Sequence, residues 1–160
     1  MRQRERADFS ATMRIYWEDT DAAGIVFYAN YLKFFERART EWLRSGGIDQ
    51  SVLAATEGIM FVVMRTAVDY HVPAKLDNEL KLSVTVEKRG RASVEFLQKA
   101  WRIDSTPGSG DDAQRMPPSH TLIATGRIKV ACVDQRTLRP KALPEQVRQF
   151  IEGGAAFPAV

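Results

Sequence analysis

At 160 residues the chain can bury one substantial core but is too short for two ordinary domains, so a single domain over 1–160 with one site per chain is expected. Hydrophobic residues at 44% and charged residues at 27% argue against a disordered or fibrous chain. The 23 basic residues are offset by 20 acidic ones, and a net charge of +3 without a long Lys/Arg block favours small anionic ligands over nucleic acid.

Residues 1–10 are rich in Arg, lack an apolar run and read as a flexible leader, not as a secretory signal. Alternating residues then predict a first strand, with Met13, Ile15 and Trp17 on the core side and Arg14, Tyr16 and Glu18 opposite. The turn formers of 19–24 interrupt it, and a long helix over 27–44 follows. Its apolar stripe is Tyr31, Phe34, Phe35, Ala38 and Trp42, with Glu36–Arg39 and Arg37–Glu41 placed to pair on its flanks and Gly46-Gly47 to end it. A short helical turn is expected over 50–56.

The rest reads as strands: 59–69, then Leu80, Leu82, Val84 and Val86 alternating with polar residues, then 92–103. The last has Leu122, Ala124, Ile128, Val130 and Cys132 on one face and Thr125, Arg127 and Lys129 on the other. A Pro-, Gly- and Ser-rich surface loop over 104–119 separates the final two strands. Pro144 opens a terminal helix in which Val147, Phe150 and Ile151 share a face. An antiparallel sheet with a helix against one face results, an α+β arrangement. One helix cannot cover the sheet along its whole length and its edge strands need protection, so self-association is expected.

The longest apolar run, 59–64, falls far short of the roughly 20 residues a membrane span needs, so no span and a cytoplasmic location are expected. A lone Cys132 in an alternating apolar pattern reads as a small buried hydrophobe without a catalytic role. No Cys/His cluster has metal spacing, so no metal is expected, and His71 and His120 read as structural or loop-bordering residues. Ser45, Ser51 and Ser93 lack a G-x-S-x-G setting, which argues against a serine hydrolase.

Glu18, Asp19 and Asp21 stand where a strand gives way to a loop just ahead of the long helix. A helix N-terminus offers unpaired N–H groups and partial positive charge, which polarise a carbonyl and hold the oxyanion formed on attack. A carboxylate beside it activates water as a general base or attacks as a nucleophile. The competing reading of the same residues is turn formation and capping, which is what most such aspartates do.

The run YWEDTDAAGIVFYANYLKFFERARTE at 16–41 resembles the signature of the 4-hydroxybenzoyl-CoA thioesterase family, especially its YbgC-type acyl-CoA thioesterases. The segment VDYHVPAKLDNEL at 68–80 resembles that family's connection between its second and third strands. The resemblance implies a hot-dog fold, a five-stranded antiparallel sheet wrapped around one long helix, with active sites formed between the subunits of a homodimer or tetramer. It places the catalytic carboxylate on Asp21 and the carbonyl-polarising N–H near Tyr28. Many YbgC-type sequences carry His at the position of Tyr28, while the hydroxybenzoyl-type enzymes carry Tyr; the backbone role survives the change and an imidazole role does not.

The expected reaction is hydrolysis of acyl-CoA to free acid and coenzyme A, with no cofactor, since coenzyme A is part of the substrate; acyl carrier protein could supply the same thioester. Arg89 and Arg91, in a basic turn, resemble the family's phosphate-holding residues, although a solvated turn explains them equally well; Arg139 and Lys141 are weaker candidates. Phe27 and the Val62-Val63-Met64 segment are candidates for the acyl pocket. A hot-dog dehydratase would need a His paired with an acid, and no His precedes residue 71. The remaining alternative is a non-catalytic acyl-binding or scaffold protein, against which Asp21 argues.

Overall fold

A computed structural model describes residues 9–104 and 119–153. The flexible leader and the 104–119 loop expected from sequence lie almost wholly outside these residues; the main-chain N–H of Asp104 donates to Ser119 O at 3.0 Å.

Five strands form one antiparallel sheet: β1 (Phe9–Arg14), β2 (Ile59–Tyr70), β3 (Glu79–Arg89), β4 (Ser93–Ile103) and β5 (His120–Asp134), in the spatial order β1-β3-β4-β5-β2. Between β1 and β2 the chain forms a single 3-10 turn at Trp17–Asp19, the long helix α1 (Asn30–Ser45) and the short helix α2 (Gln50–Glu57); α3 (Glu145–Gly153) follows β5. The α+β architecture and the last four strands match the sequence reading.

Period-2 patterning decides which face of the sheet is covered. Leu80, Leu82 and Val84 of β3, Val94, Phe96 and Ala100 of β4, and Ile128, Val130 and Cys132 of β5 are buried. The stripe Tyr31, Phe34, Phe35, Ala38 and Trp42 of α1 is buried with them in one core. Phe34 and Phe35 are fully buried, each contributing about 1.5–3 kcal/mol of burial free energy. Gly126 of β5 lets α1 approach this closely, since a Cβ there would stand 2.8 Å from a ring carbon of Phe35.

Helix ends follow local chemistry. Asp49 caps α2 by accepting from Ser51 N at 2.8 Å and from the Ser51 hydroxyl, and these bonds hold its carboxyl below the usual carboxylate range. Gly58, at φ +64°, ends α2 in the left-handed conformation that favours glycine. Phe150 of α3 lies over Gly46 at the end of α1 and stacks on Trp42 at 4.9 Å between ring centroids.

Three expectations need correction. The first strand ends at Arg14, and Trp17 is 79% exposed on the 3-10 turn, not in the core; Ile15 is the last residue of the alternation to be buried. The long helix begins at Asn30, because 27–29 form a turn. Arg39 does not pair with Glu36: its guanidinium turns inward to Gln98, and it is Arg44 that pairs with Glu41.

Candidate active site

The segment between β1 and α1 folds back on itself. Antiparallel bridges join Thr20 to Val26 and Ile25 to Lys75, the Asp21 N–H donates to Ile25 O at 2.9 Å, and the Phe27 N–H donates to Asp19 O at 3.0 Å. Gly24, at φ +77°, makes the reversal between the two limbs. Asp21 and the residues leading into α1 are therefore neighbours in one closed loop.

Asp19 and Asp21 have different surroundings. Asp19 is buried; its carboxylate accepts the Tyr16 N–H at 2.9 Å, and its main-chain oxygen accepts the side-chain amide of Asn30 at 2.9 Å. Asp21 is exposed, and its Oδ1 accepts the Ala23 N–H at 2.8 Å. That Asx turn is the structural role anticipated for such a residue, and it also fixes the carboxylate, leaving Oδ2 without a protein partner among the described residues.

The start of α1 is chemically open. Its N-cap, Ala29, has no side chain able to cap, and among the described residues no acceptor takes the N–H of Tyr28 or Ala29. The Tyr28 carbonyl is instead held by the Tyr70 hydroxyl at 3.0 Å, an anchor between β2 and the helix entry. Tyr28 and Tyr31 both lie against Tyr70, with ring centroids 6.2 and 5.6 Å from it. Burial, followed by the neighbouring Tyr28, raises the Tyr70 phenol above its usual value, so it stays a neutral donor. Phe27 and Tyr28 are 43% and 63% exposed, giving an aromatic rim around the open N–H groups.

Asp21, Phe27 and Tyr28 thus share the segment between β1 and α1, with Asp21 opposite Ile25 and Phe27 opposite Asp19. Arg89 and Arg91 lie outside it. Arg14, just before the Asp21 loop, pairs in register with Glu79 at one end of β3, while Arg89 ends the same strand about 30 Å away. Arg89 also makes an ion pair with Glu152 of α3. Of the residues considered for an acyl pocket, Val63 lines a cavity under the second half of α1, together with Phe61; Phe27, Val62 and Met64 do not.

His71 Nε2 lies 3.0 Å from Thr125 Oγ1, a structural contact, and Cys132 is buried, its thiol pushed up chiefly by that burial. Among the described residues no group of His, Cys, Asp and Glu could hold a metal ion. Sequence reasoning missed Asn30 and Tyr70. A polar residue opening a helix was the one signal for Asn30; for Tyr70 there was none, because its partner is a main-chain oxygen 42 residues away.

Residues 15–151 match the thioesterase-like superfamily. The chain belongs to that family. It is 38% identical over 140 residues to the acyl-CoA thioesterase YbgC of Haemophilus influenzae, covering 88% of this chain and 91% of the relative. It is 34% identical over 139 residues to the acyl-CoA thioester hydrolase YbgC of Escherichia coli O157:H7, covering 87% and 92%. A probable thioesterase from Bartonella henselae superposes with a TM-score of 0.70 at 28% identity, covering 85% of this chain and 98% of that one. A Staphylococcus aureus protein solved in complex with CoA shares the fold at a TM-score of 0.76 and 16% identity, covering 95% and 87%. The five-stranded antiparallel sheet and its helices are those of the hot-dog thioesterases.

Proposed function

We propose that this member of the thioesterase-like superfamily hydrolyses acyl-coenzyme A to free acid and coenzyme A. The observation that carries the reading is the closed loop that bears Asp21, with one carboxylate oxygen unpartnered among the described residues, and runs directly into the uncapped start of α1. The thioester oxygen meets the N–H of Tyr28, which stabilises the oxyanion as the carbonyl carbon becomes tetrahedral. Asp21 takes a proton from water as the water oxygen attacks, and returns it to the departing thiolate. Direct attack by Asp21 would instead release the thiolate and leave a mixed anhydride for water to cleave. Coenzyme A is substrate in either route, and no cofactor is required.

We infer in addition that the chain self-associates. β2 forms one edge of the sheet, and Met60, Val63, Met64 and Tyr70 along it are exposed, an apolar edge that pairing with a second copy would cover. Arg89 and Arg91, remote from Asp21 in their own chain, would reach the phosphates of coenzyme A only from a partner subunit. No helix among the described residues is long and apolar enough to cross a membrane, and the proposed location is the cytoplasm.

The test is release of free thiol from a panel of short, long and aromatic acyl-CoAs, with acyl carrier protein thioesters alongside. Turnover of acyl-CoA is the expected result. Binding of acyl-CoA without turnover would favour a non-catalytic acyl-binding protein, and light scattering that gave a monomer would count against a shared site.

A further inference from the structure

A cavity of about 180 Å³ lies beneath the second half of α1, bounded by that helix, by β2, β4 and β5, and by α3. Its walls are apolar, with Trp42, Phe61, Val94, Phe96, Val130 and Ile151 among them. A cavity of about 150 Å³ with such walls is large enough for benzene. It is not part of this chain's Asp21 loop: Glu36 to Leu43, the helical residues lining it, lie about 9–20 Å along α1 from Asn30.

The polar members of the lining are Glu36, Arg39, Thr40 and Gln50, and of these Arg39 carries the positive charge. The Arg39 guanidinium enters from α1, donates to Gln98 Oε1 at 2.8 Å and lies 6.0 Å from the centroid of the Phe96 ring. Gln98 is fully buried and spends its amide on Phe35 O at 3.0 Å, so it is a neutral support and brings no charge. Glu36, the other charged residue in the lining, is exposed and makes no ion pair with Arg39. Among the described residues Arg39 has no carboxylate within ion-pair distance. Its burial lowers the guanidinium pKa, the nearby Glu36 opposing this only in part, yet an arginine remains charged at neutral pH. A half-buried cation that keeps free N–H groups and has no carboxylate within ion-pair distance, Glu36 acting on it only from farther off, favours an anion that comes with its own apolar body.

We propose that this cavity binds a carboxylate with a compact apolar body, a single ring or a chain of about six carbons, with the carboxylate on Arg39 and the body among the apolar walls. This goes beyond thioester hydrolysis and stands without it. Two sources share the chemistry: a free carboxylic acid, and the far carboxylate of a dicarboxylic acyl thioester.

The experiment measures binding of hexanoate and benzoate to the full chain by calorimetry and thermal shift, with acetate, hexanol and benzyl alcohol as controls. Hexanoate and benzoate should bind and raise Tm, while acetate lacks the apolar body and the alcohols lack the charge. Arg39→Met should weaken carboxylate binding about tenfold or more, the scale of a lost charge-assisted contact, and Arg39→Lys should restore part of it. Val63→Trp keeps the Arg39–Gln98 bond but fills the cavity, and it should abolish binding even if Arg39→Met fails to fold. Equal shifts with alcohols and carboxylates, or carboxylate binding unchanged in Val63→Trp, would overturn the proposal. Comparing adipoyl-CoA with hexanoyl-CoA separates the sources. A preference for adipoyl-CoA that Arg39→Met removes assigns the carboxylate to the thioester, and its absence, with hexanoate binding intact in the wild type, assigns it to a free acid.

Discussion

The side-chain amide of Asn30 donates to the main-chain oxygen of Asp19 at 2.9 Å, tying the first residue of α1 to the loop that carries Asp21. The same oxygen accepts the Phe27 N–H at 3.0 Å, so one carbonyl holds both limbs of the loop. Geometry at the helix entry therefore depends on a residue with no chemical part in the reaction. Asn30→Ala should lower kcat by about tenfold through loosened positioning, at a stability cost of about 1 kcal/mol for the lost hydrogen bond. Steady-state kinetics and a denaturant melt on the same variant check both halves, and a loss of stability with unchanged kcat would refute the positioning role.

Asp21→Asn keeps the Asx turn, since an amide oxygen also accepts the Ala23 N–H, but removes the base or nucleophile. We expect kcat to fall by roughly 10²-fold or more with KM and Tm nearly unchanged. Asp19→Asn is the comparison: its amide oxygen can take the Tyr16 N–H that Asp19 Oδ2 accepts, so it should retain most of its activity. Comparable small losses in both variants would reduce Asp21 to a turn residue.

The ion pair of Arg89 with Glu152 gives a signed test of phosphate binding. If Arg89 serves the coenzyme A phosphates, Glu152→Gln frees it and should lower KM for acyl-CoA. Replacing Arg89 and Arg91 together with Ala should raise KM more than it lowers kcat, leaving a truncated pantetheine thioester nearly unaffected. Equal effects on both substrates would mark the turn as structural.

Gly126→Ala places a methyl group 2.8 Å from Phe35 and 3.1 Å from Ile128. Overpacking of this kind costs about 1–3 kcal/mol, and a fall in Tm of roughly 2–10 °C is expected. Phe35→Leu should relieve part of that loss, a coupling that a double-mutant cycle reads directly.

Arg102 Nε and the Thr121 hydroxyl both donate to the Asp104 carboxylate, each at 2.7 Å, and hold its pKa below the usual range, Arg102 first. Because the folded value is the lower one, this contribution is complete above the unfolded value of about 3.9 and is lost as pH falls through the folded value. Asp104→Asn should therefore be less stable than the parent at pH 7, with the gap closing as the solution is acidified. Paired melts across that range check the sign.

The stripe of α1 and the alternation of β3 were legible because burial imposes a period, and Tyr31, Phe34, Leu80 and Leu82 obey it. Trp17 shows where a period misleads: the alternation continues past Arg14, while the 3-10 turn at Trp17–Asp19 carries the indole out to solvent. The Glu36–Arg39 spacing suited a surface pair, yet Gln98 offers Arg39 a buried acceptor that appears only once α1 meets β4. The role proposed for Asp21 comes from the family motif alone, while the supports of its loop, Asn30 and Tyr70, act through main-chain oxygens that a sequence does not display. The separation of Arg89 from Asp21 required the register of β1 on β3.

The strand order has a consequence for synthesis. β2 is made early but pairs with β5, the last strand, its Ile59 standing opposite Asp134. A nascent chain can join β1 to β3 and β3 to β4 while β2 still waits, with both its edges open and Val63 and Met64 uncovered. The emerging polypeptide is thus most exposed to misassembly just before its final strand leaves the ribosome, and a chain cut short ahead of residue 120 would strand β2 in that state permanently.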